Sequence, residues 1–172
     1  MDMTVLRGQL QKWTFPLGPE GSIEEVYREM EKEAHNLGSS AATELVEALI
    51  ALDAEGDSLL EDLGEFLEMY SRYYPDALAE ALLQKLRPTG PPLVVSLLGC
   101  TGNPKAVTQL KEVLDLNNAS NDLLEALAGT LGDLGGSEAL EILHFLQKKE
   151  NLSQQVQEEI NIALSQIASR TK

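Results

Sequence analysis

From Ile23 onwards, apolar residues recur at spacings of three and four with charged or amide residues between them. That period belongs to helices that bury one face and wet the other. After the turn-like Pro16-Leu17-Gly18-Pro19-Glu20-Gly21, Ser22 and Glu25 form a capping box that opens the first helix. Ile23, Val26, Tyr27, Met30 and Ala34 give it an apolar face, and Gly38 ends it. Ser39 or Ser40 starts the next, carrying Leu45, Val46, Leu49, Ile50 and Leu52, until Gly56 breaks it. Ser58 and Glu61 form a second capping box before Leu59, Leu60, Leu63, Phe66, Leu67 and Tyr70. Pro75 suits the first position of a helix carrying Ala77, Leu78, Ala81, Leu82 and Leu86. Arg87-Pro88-Thr89-Gly90-Pro91-Pro92 is the strongest break, and helices are predicted beyond it at about 92–101, 104–115, 121–134, 137–149 and 153–169. Strand signals are nearly absent. The pattern predicts an all-α chain of about eight or nine helices, with short connections that make successive helices antiparallel neighbours.

A second regularity has a period of 33 residues. Leu98-Gly99-Cys100-Thr101-Gly102-Asn103-Pro104-Lys105-Ala106-Val107 aligns with Leu131-Gly132-Asp133-Leu134-Gly135-Gly136-Ser137-Glu138-Ala139-Leu140, and Ala163-Leu164-Ser165-Gln166-Ile167-Ala168 restates the opening. The small residue after leucine (Gly99, Gly132, Ser165) lets neighbouring helices approach, and Gly102 and Gly135 can close a helix in the left-handed region. Over about residues 91–169 this unit resembles the short HEAT-like repeat of phycobilin-lyase-type proteins, roughly Ala-Leu-Gly-x-Ile-Gly-Asp-Pro-x-Ala-Val-x-x-Leu. Asn103-Pro104 matches its turn best, and Gly136-Ser137 departs from it. The resemblance implies an α-solenoid, an α-α superhelix of stacked helix pairs that binds another protein. On this reading 1–172 is a single α-solenoid domain. Residues 1–87 form acidic helix layers with a terminal cap, and 88–172 form the HEAT-like repeats. Trp13 and Phe15 are expected to plug the exposed end of the first layer.

Charge sharpens the picture. The 172 residues carry 28 Asp+Glu against 13 Lys+Arg, a formal net charge of −15, and 43% are hydrophobic, enough for a core. Between residues 20 and 80 stand 17 carboxylates and only Arg28, Lys32 and Arg72, whereas residues 81–172 hold ten acids and eight bases. So acidic a chain is a poor binder of nucleic acid or of an anionic membrane, both of which need a basic footprint. No apolar run is long enough to span a bilayer. The single Cys100 permits no internal disulfide, and MDMTVLRGQLQKWTF lacks the regions of a signal peptide. A soluble, cytoplasmic protein is the expectation.

No reactive constellation accompanies this pattern. Lys32 stands where a Glu-x-x-His metal pair would place its carboxylate before His35, His144 has no second His four residues on and no adjoining Glu, and Cys100 is expected to be a small buried residue. Asp53-Ala54-Glu55-Gly56-Asp57-Ser58 lacks the register of a calcium loop. No phosphate-binding, nucleophile-elbow or dinucleotide motif occurs. No catalytic, cofactor or metal residue is therefore assigned. The acidic half points instead to an electrostatic docking face for a basic protein. It would comprise Asp53, Glu55 and Asp57 on a loop, Glu61, Asp62, Glu65 and Glu68 on one helix, and Tyr73 and Tyr74 at its end, tyrosine being favoured at interfaces. Tyr73-Tyr74-Pro75-Asp76-Ala77-Leu78-Ala79-Glu80-Ala81-Leu82 is faintly similar to a segment of bacterial helical immunity proteins. That likeness implies an inhibitor of a basic toxin. The HEAT-like resemblance also leaves open a bilin lyase or chaperone, or a general assembly scaffold.

Overall fold

A computed structural model describes residues 3–14 and 23–170. The Ser22 capping box, the 16–21 turn and Phe15 lie outside the described residues. Ten α-helices and no β-strand occur among those described. They are α1 (Met3–Thr14), α2 (Ile23–Leu37), α3 (Ala42–Glu55), α4 (Leu60–Ser71), α5 (Pro75–Lys85), α6 (Pro92–Cys100), α7 (Lys105–Val113), α8 (Asn121–Leu134), α9 (Gly136–Gln147) and α10 (Gln154–Arg170), with a 3₁₀ turn at Ser39–Ala41. The all-α expectation holds, with α1 the helix that the sequence pattern did not announce. The chain forms two compact units that divide between Ala81 and Leu82, inside α5.

In the first unit α4 is the central element. Leu63, Gly64, Phe66, Leu67, Met69, Tyr70 and Ser71 are all buried, because α1, α2 and α3 each pack on it. At about 1.5–3 kcal/mol per fully buried large apolar side chain, this helix anchors the unit. The α1 helix contributes Leu6 and Leu10, one turn apart and buried, and the Trp13 ring stacks on Phe66 with centroids 5.0 Å apart. Gly56 ends α3 in the left-handed region (φ 64°, ψ 36°), and the next amide, that of Asp57, reaches back to the Leu52 carbonyl at 3.0 Å. This is the glycine-closed helix end that the sequence predicts. The start of α4 differs from expectation. Asp57 Oδ1, not Ser58, accepts the Leu59 amide, at 3.0 Å, and the residue preceding α4 is Leu59.

In the second unit α6 packs on α8 and α8 on α10, while α7 packs on α9. The repeat is visible in the contacts of its small residues. A Cβ on Gly99 would lie 3.3 Å from Thr130 Cα, and one on Gly132 would lie 3.0 Å from Ala163 Cα, thirty-one residues on in both cases. Thr130 also donates its hydroxyl to the Val95 carbonyl at 2.7 Å, tying α8 to α6. Arg170 at the end of α10 donates to the carbonyls of Gly132 (3.0 Å) and Asp133 (2.6 Å), neutralising the C-terminal end of α8. The α7 helix stops earlier than its pattern suggests. Leu114 turns to extended backbone (φ −76°, ψ 131°), and the Asp115 amide is taken by the Pro88 carbonyl at 2.8 Å. Cys100 is exposed rather than buried. Its place at the last turn of α6 leaves the thiol beyond the packed side of that helix.

Candidate functional site

The nine residues singled out for docking fall into distinct environments. Glu55 and Asp57 flank the α3–α4 turn, and both are held by Arg7 of α1. Arg7 Nη2 donates to Glu55 Oε2 at 2.6 Å and Nη1 donates to Asp57 Oδ2. Asp57 is the less exposed of the two carboxylates. Its hydrogen bond from the Leu59 amide, and then the Arg7 guanidinium, hold its carboxyl below the usual aspartate range. This clasp fixes α1 to the α3–α4 turn, and the single Arg7 cation offsets one of these two negative charges within the fold. Asp53, in the last turn of α3, is exposed.

The tyrosines close the other end of α4. Tyr70 is buried and donates its hydroxyl to the Gly38 carbonyl at 2.6 Å, and burial, with Tyr74 alongside, pushes its pKa up to about 12. Tyr74 donates to the His35 carbonyl at 2.9 Å. Tyr73 donates to Glu31 Oε1 at 2.7 Å, and its ring lies parallel to that of His35 with centroids 5.7 Å apart. The hydrogen bond to Glu31 raises the Tyr73 pKa as well. Tyr73 and Tyr74 thus buttress α2 against the end of α4.

The remaining carboxylates form a row. Glu61, Glu65 and Glu68 are exposed at i, i+4 and i+7 on α4, while Asp62 turns aside and is half-buried. These three glutamates occupy the one side of α4 that no neighbouring helix covers. Among the described residues none of the three makes an ion pair or a hydrogen bond to a side chain. Their spacing sets negative charges about 5–6 Å apart along a rigid helix.

Sequence reasoning missed two features of this unit. Arg7 is one, since nothing local signals a partner forty-eight residues away. The other is the apolar side of α2, where Met30 and Ala34 are buried as expected but Ile23 and Tyr27 are 58% and 47% exposed. The α4 helix is too narrow to cover so wide an apolar face. The clefts among the described residues include one within each unit. That between α1 and α2 has a volume of about 290 Å³ and is lined by Lys12, Trp13, Glu29, Lys32 and Asn36. That near the start of α10 has a volume of about 280 Å³ and includes Gln147, Gln157, Ile160 and Asn161.

Both histidines are exposed. Among the described residues, no group of three or more His, Cys, Asp or Glu side chains is placed to hold a metal ion, and no helix is long and apolar enough to cross a membrane. Set against known protein families, curated proteins and solved structures, the chain matches none.

Proposed function

We propose that this chain is a non-enzymatic binding module whose acidic first unit docks a basic protein. The observation that carries this reading is the row Glu61, Glu65 and Glu68, exposed on a helix whose other side is buried from Leu63 to Ser71. A rigid helix bearing unneutralised charges at fixed spacing loses little entropy on binding, and an anionic surface speeds encounter with a cationic partner. The second unit serves as a HEAT-like α-solenoid scaffold in this reading, supported by the recurring glycine contacts of Gly99 and Gly132. In its concrete form the protein is an immunity-type inhibitor that neutralises a basic toxin domain. The bilin-lyase alternative draws no support from these two clefts among the described residues, each just below the volumes that take drug-sized ligands, roughly 300–1,000 Å³.

The test begins with capture of the partner from the native host at low and moderate salt, followed by association kinetics with the purified partner. Changing Glu61, Glu65 and Glu68 together to lysine is expected to slow association at least tenfold and to flatten its dependence on salt. Unchanged association with an unchanged salt slope would refute the docking face.

A further inference from the structure

We propose that the exposed edge of α2, formed by Ile23 and Tyr27 with Tyr73 set beside Glu31, receives the apolar face of a cationic amphipathic helix. This rests on the reading of the first unit as an acidic docking surface, and it places the contact away from the α4 row. Val5, Phe145 and Ile162 are also exposed, but among the described residues each is the one such side chain on its helix, whereas α2 presents two. Ile23 and Tyr27 are one turn apart, and Glu31, a turn further on, accepts the hydroxyl of Tyr73, itself 39% exposed. Three apolar groups therefore follow one another over about 12 Å, the rise of eight helical residues.

The occupant is argued from shape and charge together. Apolar positions at one-turn intervals match the i, i+4 anchors of a helix laid in a groove. The surroundings are anionic: α2 alone carries Glu24, Glu25, Glu29, Glu31 and Glu33 against Arg28 and Lys32. A helix with lysines or arginines flanking its leucines would satisfy both. The edge is also pre-formed, because Tyr73 is fixed by its bond to Glu31 and its stack on His35, so little side-chain freedom remains to be lost on binding.

The test uses the full chain, labelled with ¹⁵N, titrated at about 150 mM salt with a synthetic 18-residue peptide of leucine and lysine at helical spacing. The control is a peptide of the same composition scrambled to destroy the apolar face. Binding of the first peptide is expected to shift the amides of Ile23, Tyr27, Glu31 and Tyr73. It should weaken at least tenfold in Ile23→Ser/Tyr27→Ser, whose melting temperature should stay close to wild type because both side chains are exposed. It should weaken less when Glu61, Glu65 and Glu68 become lysine. Shifts confined to α4, or equal affinity for the scrambled peptide, would overturn the α2 edge and leave the acidic docking surface standing. Failure of both peptides to bind, even at about 10 mM salt, would overturn the two together.

Discussion

Gly64 and Gly132 both stand inside helices with no positive φ, yet they answer to different forces. A Cβ on Gly64 would meet nothing within 4 Å, whereas one on Gly132 would come within 3.0 Å of Ala163 Cα and Cβ. Gly64→Ala is therefore expected to stabilise the chain by about 0.5–1 kcal/mol through reduced freedom of the unfolded state. In a chain of this size that is a rise in melting temperature of roughly 1–4 °C. Gly132→Ala must part α8 from α10 and is expected to cost about 1–3 kcal/mol. Thermal melts of the two variants should move in opposite directions; movement in the same direction would mean that the helices are not so close. Tyr70 makes a residue-scale claim at the alkaline limit. Its phenol is held neutral up to about 12, against 10.0 for the free group. The unfolded chain releases this proton first, so stability falls as pH rises from about 10 towards 12. Tyr70→Phe should lose about 0.5–1.5 kcal/mol at neutral pH with the bond to Gly38, and should show a shallower alkaline limb in denaturant melts. Tyr73 shares the direction of the shift and is unchanged in that variant, so the difference between the two limbs belongs to Tyr70.

At the scale of elements, the connection between α3 and α4 depends on a residue outside both. Asp57 closes the turn that leads into α4 by accepting the Leu59 amide and is paired with Arg7 of α1. Its depressed pKa contributes stability that is present above the ordinary aspartate value and is lost as pH falls through the lowered one. Asp57→Asn is expected to lower the melting temperature at pH 7 and to flatten the loss of stability between about pH 4 and the lowered value. An acid limb identical to wild type would show that the carboxylate is not engaged. The same region shows what the sequence could reveal. Gly56, Pro75 and Pro92 announced their helix boundaries because they act through their own backbone. Among the described residues no side chain caps α4; Asp57 instead closes the preceding turn on the Leu59 amide, a local geometry that composition does not record. The α1 helix went unannounced although Met3, Leu6, Leu10 and Trp13 recur at spacings of three and four. Gly8 interrupts its pattern, and its burial depends on α4, far along the chain. Likewise, Ile23 and Tyr27 carry the same hydrophobic signal as Met30 and Ala34. Only the width of the helix that packs against them decides which pair is covered.

For the whole molecule, periodicity and charge act on different halves. The 33-residue repeat was legible through its small residues, of which Gly99 and Gly132 make the same close approach in the structure, whereas Ser165 of the third copy is exposed. The acidic surface was legible only as a charge density. Which carboxylates are paired with Arg7, and which remain open on α4, is a product of tertiary contacts. That density has a consequence for stability. The stretch from 20 to 80 holds 17 acids and three bases, whereas 81–172 is nearly balanced with ten and eight. Self-repulsion therefore opposes folding mainly in the first unit. Raising the salt from about 10 to 150 mM shortens the screening length from about 30 to 8 Å, which removes most repulsion between carboxylates on different helices and leaves the close Arg7 pairs largely intact. Amide hydrogen exchange is expected to slow with added salt in the cores of α2, α3 and α4, and to change far less in α6, α8 and α10. Reversing Glu61, Glu65 and Glu68 to lysine should shrink the difference between the two units, because it converts part of the repulsion to attraction. An equal response of both units would mean that the crowded carboxylates do not strain the fold, and that their surface is held open at no cost to stability.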